Sequence, residues 1–187
     1  MRINYSAYSD SELVKLLRGE KRESEQAFNE LYRRYSSMVH AYCLRILGSQ
    51  EEAEDVFQET FIKFYNNVKA EHENPNIPGF LIKISRNICL NIKRDREPTV
   101  PIDDSMTFPI EPNQVYEKTE LLELITMALE LLDFDYREPF VLREYDDMSY
   151  EQIAEICNIS VVNAKSRVHR AKLKIKDILM PYLKDLV

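Results

Sequence analysis

Ser149-Tyr150-Glu151-Gln152-Ile153-Ala154-Glu155-Ile156-Cys157-Asn158-Ile159-Ser160, followed by Val161-Val162-Asn163-Ala164-Lys165-Ser166-Arg167-Val168-His169-Arg170-Ala171-Lys172, is the stretch on which the reading of this chain turns. Ser149 and Gln152 stand at the capping-box spacing, in which the serine hydroxyl accepts the N–H three residues on and the glutamine reaches back. A short helix should follow through Ile153, Ala154, Ile156 and Cys157. Asn158 suits the left-handed residue that ends such a helix, Ile159 can pack into the corner, and Ser160 can cap the next helix. Two helices joined by a turn of three or four residues make a helix-turn-helix.

In the second helix Ala164, Val168, Ala171, Ile175 and Ile178 recur in steps of four and three and face inward. The other faces carry Lys165, Ser166, Arg167, His169, Arg170, Lys172, Lys174 and Lys176, with no acidic residue between Ser160 and Lys176, and Leu173 as an apolar exception. A basic face of this kind can simply be solvated. Two features favour a recognition helix instead. The preceding segment from Glu111 to Glu155 is strongly acidic, with Lys118, Arg137 and Arg143 as its basic members, so positive charge is concentrated on the second helix. Asn163 and Ser166 also lie among the cations in the helix's N-terminal half, the part that reaches base edges in this motif.

The whole chain has 187 residues, room for one ordinary domain or two small ones, and a formal net charge of −7. That balance alone argues against a nucleic-acid binder, because polyanion binding needs local positive potential. It is only an average over the chain. A hydrophobic content of 44% suffices for a packed core, and 3 glycines disfavour turn-rich β folds and phosphate-cradling loops, which points to an all-α protein. No apolar stretch approaches the roughly 20 residues that span a bilayer, and the start of the chain is polar, so no membrane insertion and a cytoplasmic location are expected. Cys43, Cys89 and Cys157 lie far apart among apolar neighbours and are expected as buried core residues. His40, His72 and His169 are scattered without ligand spacing, so neither a metal, a cofactor nor an enzyme is indicated.

Toward the N-terminus, Asp10 is expected to cap a short helix through Leu13, Val14, Leu16 and Leu17 that Gly19 ends. From Gln26, the positions Phe28, Leu31, Tyr35, Met38, Tyr42 and Ile46 make one stripe, which Gly48-Ser49 breaks. An acidic start, Glu51, Glu52, Glu54 and Asp55, then leads a helix carrying Ala53, Phe57, Phe61, Phe64 and Val68, with Phe57 expected in the core. Residues 70–78 read as a loop, and Gly79 to Arg94 as a further helix with Leu81, Ile84, Ile88 and Ile92 on one face. Pro98, Pro101, Pro109 and Pro112 preclude a continuous helix, so residues 97–114 are expected to form a flexible linker between two small helical domains, residues 1–96 and 115–187. In the second, Val115 to Leu132 and Asp135 to Glu144 are predicted helices ahead of the helix-turn-helix.

The run Ala53-Glu54-Asp55-Val56-Phe57-Gln58-Glu59-Thr60-Phe61-Ile62-Lys63-Phe64-Tyr65, with Pro78-Gly79-Phe80-Leu81-Ile82-Lys83-Ile84-Ser85-Arg86-Asn87, resembles the first helical domain of bacterial sigma factors of the extracytoplasmic-function (ECF) group of the sigma-70 family. Met148 to Ala154, Ile159-Ser160-Val161 and Lys165 to Ala171 resemble their second, DNA-binding domain, in the same order. The resemblance implies a sigma factor that binds RNA polymerase core through the largest-subunit clamp and the flap, directs it to promoter DNA and helps to melt it. By motif, Asp55, Gln58, Glu59, Phe61 and Phe64 would bind the polymerase core. Lys83, Arg86, Asn87, Asn91, Lys93 and Arg94 would contact the minus-ten element, next to a loop at residues 71–78 that captures a flipped base. Asn163, Lys165, Ser166, Arg167, Arg170 and Lys172 would contact the minus-thirty-five element, and an anti-sigma factor is implied as a further partner. The chain departs from the family in having no Trp and in placing Asn158 where Gly is common. An ordinary helix-turn-helix repressor or activator is the alternative; it leaves the acidic, aromatic helix and the Arg86-Asn87 helix without a task.

Overall fold

The structure is a computed structural model that describes residues 4–70, 76–96 and 118–183. Among them all regular structure is helical: after a 3-10 turn at Tyr5–Ala7 come α1 (Asp10–Leu17), α2 (Lys21–Leu47), α3 (Gln50–Ala70), α4 (Ile77–Arg96), α5 (Lys118–Glu130), α6 (Phe134–Glu144), α7 (Tyr150–Cys157) and α8 (Val161–Leu183). The chain divides into two compact units, Met1–Asn91 and Ile92–Val187. The proposed linker, residues 97–114, lies outside the described residues, as do 115–117 of the helix expected from Val115.

In the first unit each helix buries one stripe. Leu13, Val14 and Leu17 of α1, Ala27, Leu31, Val39, Tyr42, Cys43 and Ile46 of α2, and Ala53, Val56, Phe61, Phe64 and Val68 of α3 share its core. The outer part is aromatic, with the Phe28 ring edge-on to Phe61 at 6.2 Å and to Tyr65 at 5.4 Å, and Tyr32 tilted on Phe61 at 4.8 Å. Inside it the Thr60 hydroxyl bonds Val56 O at 2.7 Å and lies 3.1 Å from Ser85 Oγ, so neither buried hydroxyl is orphaned. Gly48 ends α2 as expected, at φ 71°, where a side chain would be strained.

Several boundaries differ from the sequence reading, among them the end of α4 at Arg96, the end of α5 at Glu130 and the start of α6 at Phe134, and for three helix starts a specific contact gives the reason. Ser9, not Asp10, caps α1: its hydroxyl accepts Glu12 N–H while Glu12 Oε2 accepts the Ser9 N–H at 2.7 Å. Asp10 is thereby inside the helix, and its carboxylate receives Arg34 Nη1 at 2.8 Å and the Tyr35 hydroxyl. Second, α2 starts at Lys21 rather than Gln26, because the buried Ser24 hydroxyl donates to Leu17 O at 2.8 Å and so ties a turn without apolar periodicity to α1. Third, α4 starts at Ile77 rather than Gly79. Asn76 Oδ1 accepts the Gly79 N–H at 3.0 Å, a side-chain cap that lets Pro78 sit in the first turn, where its missing N–H costs nothing.

In the second unit Arg137, on α6, is buried and donates to Leu132 O at 2.9 Å and to Glu130 O, satisfying carbonyls at the end of α5. Leu129 and Leu132 pack with Ala171 of α8, and Leu124 and Ala128 with Leu179, which fixes the long α8 against the other helices of its unit.

The Glu30 carboxylate on α2 takes Arg33 at 3.0 and 2.7 Å and Arg34 at 2.8 Å. The Arg33 hydrogen bond, with Arg34 adding to it, outweighs burial and holds the Glu30 carboxyl down to about 2. A carboxyl with a depressed folded pKa stabilises the fold above its unfolded value and loses that contribution as pH falls toward the folded one. Glu30→Gln should therefore lower the melting temperature near neutral pH and shrink the difference from wild type as pH falls from 4.5 to about 2, measured by circular-dichroism melts.

Candidate nucleic-acid and polymerase interfaces

The helix-turn-helix forms as its residues prescribe. Gln152 N–H donates to Ser149 Oγ at 3.2 Å, and Ser149 N–H to Gln152 Oε1 at 2.8 Å. Asn158 is left-handed at φ 55°, which turns the chain so that Ile159 N–H reaches Ala154 O at 3.0 Å. Ser160 Oγ then accepts the Asn163 N–H at 3.1 Å and starts α8. Ile153, Ala154, Ile156 and Cys157 of α7 are buried, as are Ala164, Val168 and Ala171 of α8 and Val141 and Leu142 of α6. Small residues at 164 and 171 let α8 approach its neighbours closely, and this leaves its opposite face outward.

Of the expected residues, Asn163, Ser166 and Arg170 lie on that face and Lys165, Arg167 and Lys172 toward the sides of the helix. Asn163, Lys165, Arg170 and Lys172 are exposed, and Ser166 and Arg167 half-buried. Lys165 Nζ lies 5.6 Å from the centre of the Tyr150 ring, which Arg143 also approaches at 4.9 Å, a cation–π arrangement that steadies long side chains at the start of the motif. The fold adds a feature that charge counting missed. Arg167 Nη2 is 3.2 Å from Asp135, Lys172 Nζ 2.9 Å from Glu144, and Lys174 Nζ 3.1 Å from Asp133, so carboxylates on and just before α6 pair with cations on both sides of the buried stripe of the basic helix. The acidic segment is a counter-charge for the cations and not merely a separate scaffold.

On α4, Lys83, Asn87, Asn91 and Arg94 are exposed and follow steps of four, four and three, one ridge of a helix. Leu81, Ile82, Ile84, Ser85, Ile88 and Cys89 are buried on its other side. Arg86 and Lys93 flank the ridge, half-buried. The expected base-capturing loop falls mostly on residues 71–75, outside the described residues; of the remainder, Ile77 is buried.

On α3 the structure separates the expected set in two. Asp55, Gln58 and Glu59 are exposed on one face. Phe61 and Phe64 are not available to a partner: they are 3% and 0% exposed, because they continue the inward stripe of Ala53, Val56 and Thr60. The apolar surface beside the acids comes instead from Ile62, 62% exposed, and from Phe57, half-buried against Tyr32 and His40 where a core position was expected. Ile62 was detectable as the aliphatic residue three to four positions past Gln58 and Glu59 on the polar face. It also edges a cleft of about 470 Å³ formed with Glu25, Phe28, Asn29, Phe61, Tyr65 and Asn66. Cys43, Cys89 and Cys157 are buried, as expected, and none is in a disulfide. Among the described residues no helix is long and apolar enough to cross a membrane.

Two helical units, one with a basic helix-turn-helix and one with an acidic helix beside a basic, asparagine-bearing helix, define a class of transcription protein. Residues 31–99 match the Sigma-70 region 2 family and residues 122–175 the Sigma-70 region 4 family. The chain is 30% identical to the RNA polymerase sigma-H factor of Pseudomonas aeruginosa over 94% of this chain and 96% of that protein. It is 29% identical to the ECF RNA polymerase sigma factor SigE of Mycolicibacterium smegmatis over 82% of this chain, and spans 62% of that longer relative. Its fold resembles the sigma factor RpoE of Bartonella quintana, solved in complex with the anti-sigma factor NepR, with a TM-score of 0.66 and 26% identity over 82% of this chain and 96% of that one. The chain belongs to the ECF group of the sigma-70 family, a family of transcription regulators.

Each ion pair between α8 and these carboxylates lies at the surface and is individually weak, but together the carboxylates lower the potential that duplex DNA meets. Replacing Asp135 by Asn and Glu144 by Gln should raise the affinity of the protein for random duplex several-fold at low salt, with the gain shrinking as salt rises. Fluorescence anisotropy across a salt series measures this.

Proposed function

We propose that this chain binds RNA polymerase core and directs promoter-specific initiation, with three helices sharing the work. The observation that supports this most is that α3, α4 and α8 each bury one stripe and present, on the opposite face, a surface of different chemistry: acidic with an exposed isoleucine, basic with two asparagines, and basic with Asn163 and Ser166. Asp55, Gln58 and Glu59 supply acceptors to a basic helical surface of the polymerase clamp, and Ile62 adds apolar contact. Phe61 and Phe64 act from inside by holding α3 in place.

On α4, Lys83, Arg86, Lys93 and Arg94 hold phosphates while Asn87 and Asn91 offer amide groups to exposed base edges of the minus-ten element, which favours the melted strand. On α8, Asn163, Lys165, Ser166, Arg167, Arg170 and Lys172 meet the minus-thirty-five duplex, with the flap of the polymerase holding this unit. Residues 1–96 and 115–187 serve as the two functional domains. The protein has no catalytic task of its own and works in the cytoplasm, where core polymerase is found. An anti-sigma factor, the kind of partner with which RpoE was solved, restrains it by covering both the core-binding α3 surface and the α8 recognition helix.

Reconstitution with core polymerase tests the reading. The chain should co-elute with core and support promoter-dependent transcription in vitro. Asp55→Lys combined with Glu59→Lys, both exposed positions, should weaken core association at least tenfold with an unchanged melting temperature, since like charges across an interface cost several kcal/mol. Palindromic operator binding by the chain alone, without association with core, would overturn the proposal.

A further inference from the structure

The ridge of α8 most remote from its core runs through Val162, Ser166, His169 and Leu173, in steps of four, three and four residues. Lys165 and Arg170 border it on either side. Val162 is 75% exposed, more than any other exposed large hydrophobic among the described residues. It stands in the first turn of α8, directly beside Asn163 and within the turn that Ser160 caps. A valine there adds nothing to the fold: it packs against no core, and it is a poorer helix former than alanine. Branching at Cβ restricts its rotamers, so its two exposed methyl groups have little conformational freedom to lose on contact.

The N-terminal residues of a recognition helix reach the floor of the major groove, and the apolar group displayed there is the C5-methyl of thymine. We propose that Val162 is a specificity-determining residue that reads one thymine methyl in the upstream promoter element; this rests on the reading of α8 as the minus-thirty-five helix. Asn163, about 100° around the helix, addresses a neighbouring position through its amide. Val162 therefore supplies shape and apolar contact where the surrounding cations supply only phosphate attraction. Recognition of the same base pair through hydrogen bonds alone would not distinguish thymine from uracil, because the two differ only in that methyl.

The experiment uses holoenzyme reconstituted from core polymerase and the full chain. Holoenzyme first selects upstream elements from a duplex library randomised in that region, and each thymine of the selected element is then replaced by deoxyuridine. With the wild-type protein, one such replacement should weaken binding about fourfold, the scale of one buried methyl group. Val162→Ser holoenzyme should bind the thymine and deoxyuridine promoters equally, while Val162→Ile should keep the preference. Both variants should retain the wild-type melting temperature, since the side chain is exposed. Indifference of wild type to every replacement, the same loss in Val162→Ser, or a selected element without thymine on either strand would overturn the inference and leave the proposed function standing. Failure to enrich any upstream element would overturn both.

Discussion

A helix in a small domain can bury one side only, and each functional surface of this protein is the reverse side of a buried stripe. The contact of Ala164, Val168 and Ala171 with the helices around them is where this matters most. Two alanines in that stripe let α8 lie close to its neighbours, and the long helix is then held over its length by Leu129 and Leu132 at Ala171 and by Leu124 and Ala128 at Leu179. Its rotation about its own axis is set by that packing, and so is the choice of which side chains meet solvent. The same logic holds in the first unit, where Val56, Thr60, Phe61 and Phe64 fix the rotation of α3 and leave Asp55, Gln58, Glu59 and Ile62 outside.

Charge in this molecule is organised at two scales. Along the sequence, acids gather at the start of α3 and ahead of α7, and cations gather on α4 and α8, so the net −7 does not describe any one surface. In space, the second unit brings the two signs together again, with Asp133, Asp135 and Glu144 beside Lys174, Arg167 and Lys172. DNA phosphates must compete with these carboxylates for the same cations. A factor with such a helix gains little from random duplex and depends more on contacts that read bases or on those supplied by polymerase. The first unit uses charge differently: Glu30, Arg33 and Arg34 are joined on α2, and Arg34 also binds Asp10, Ser6 O and Tyr8 O, so ionic contacts there anchor the N-terminal segment.

Local chemistry was the most legible part of the sequence. The Ser149–Gln152 box, the left-handed Asn158 and the Ser160 cap each depend on residues within four positions of one another, and all three form. Where a boundary depended on a distant partner, reading failed. The first turn of α2 has no apolar periodicity and is fixed by Ser24 bonding to α1, and Asp10 is drawn from capping to an ion pair by Arg34, which lies 24 residues away. The aromatic residues of α3 failed for a related reason. Spacing shows that Phe57, Phe61 and Phe64 lie near one face, but a phenylalanine at the edge of a stripe can point in or out, and the packing of Phe28 and Tyr32 on Phe61 and of Phe80 on Phe64 accompanies the burial of Phe61 and Phe64.

The sequence by itself determined the helical class, the position of the helix-turn-helix, the segregation of charge and the family, because caps, periodicity and motif order are properties of near neighbours in the chain. Tertiary structure decided which members of each amphipathic helix face out: Ile62 rather than Phe61 and Phe64 on α3, and Val162 at the tip of α8's outer ridge. It also decided that the acids of α6 stand against the basic helix. These outcomes depend on how far one helix is rotated against another, a few tens of degrees set by the volumes of facing side chains, and a linear pattern with a period of 3.6 residues does not fix that angle.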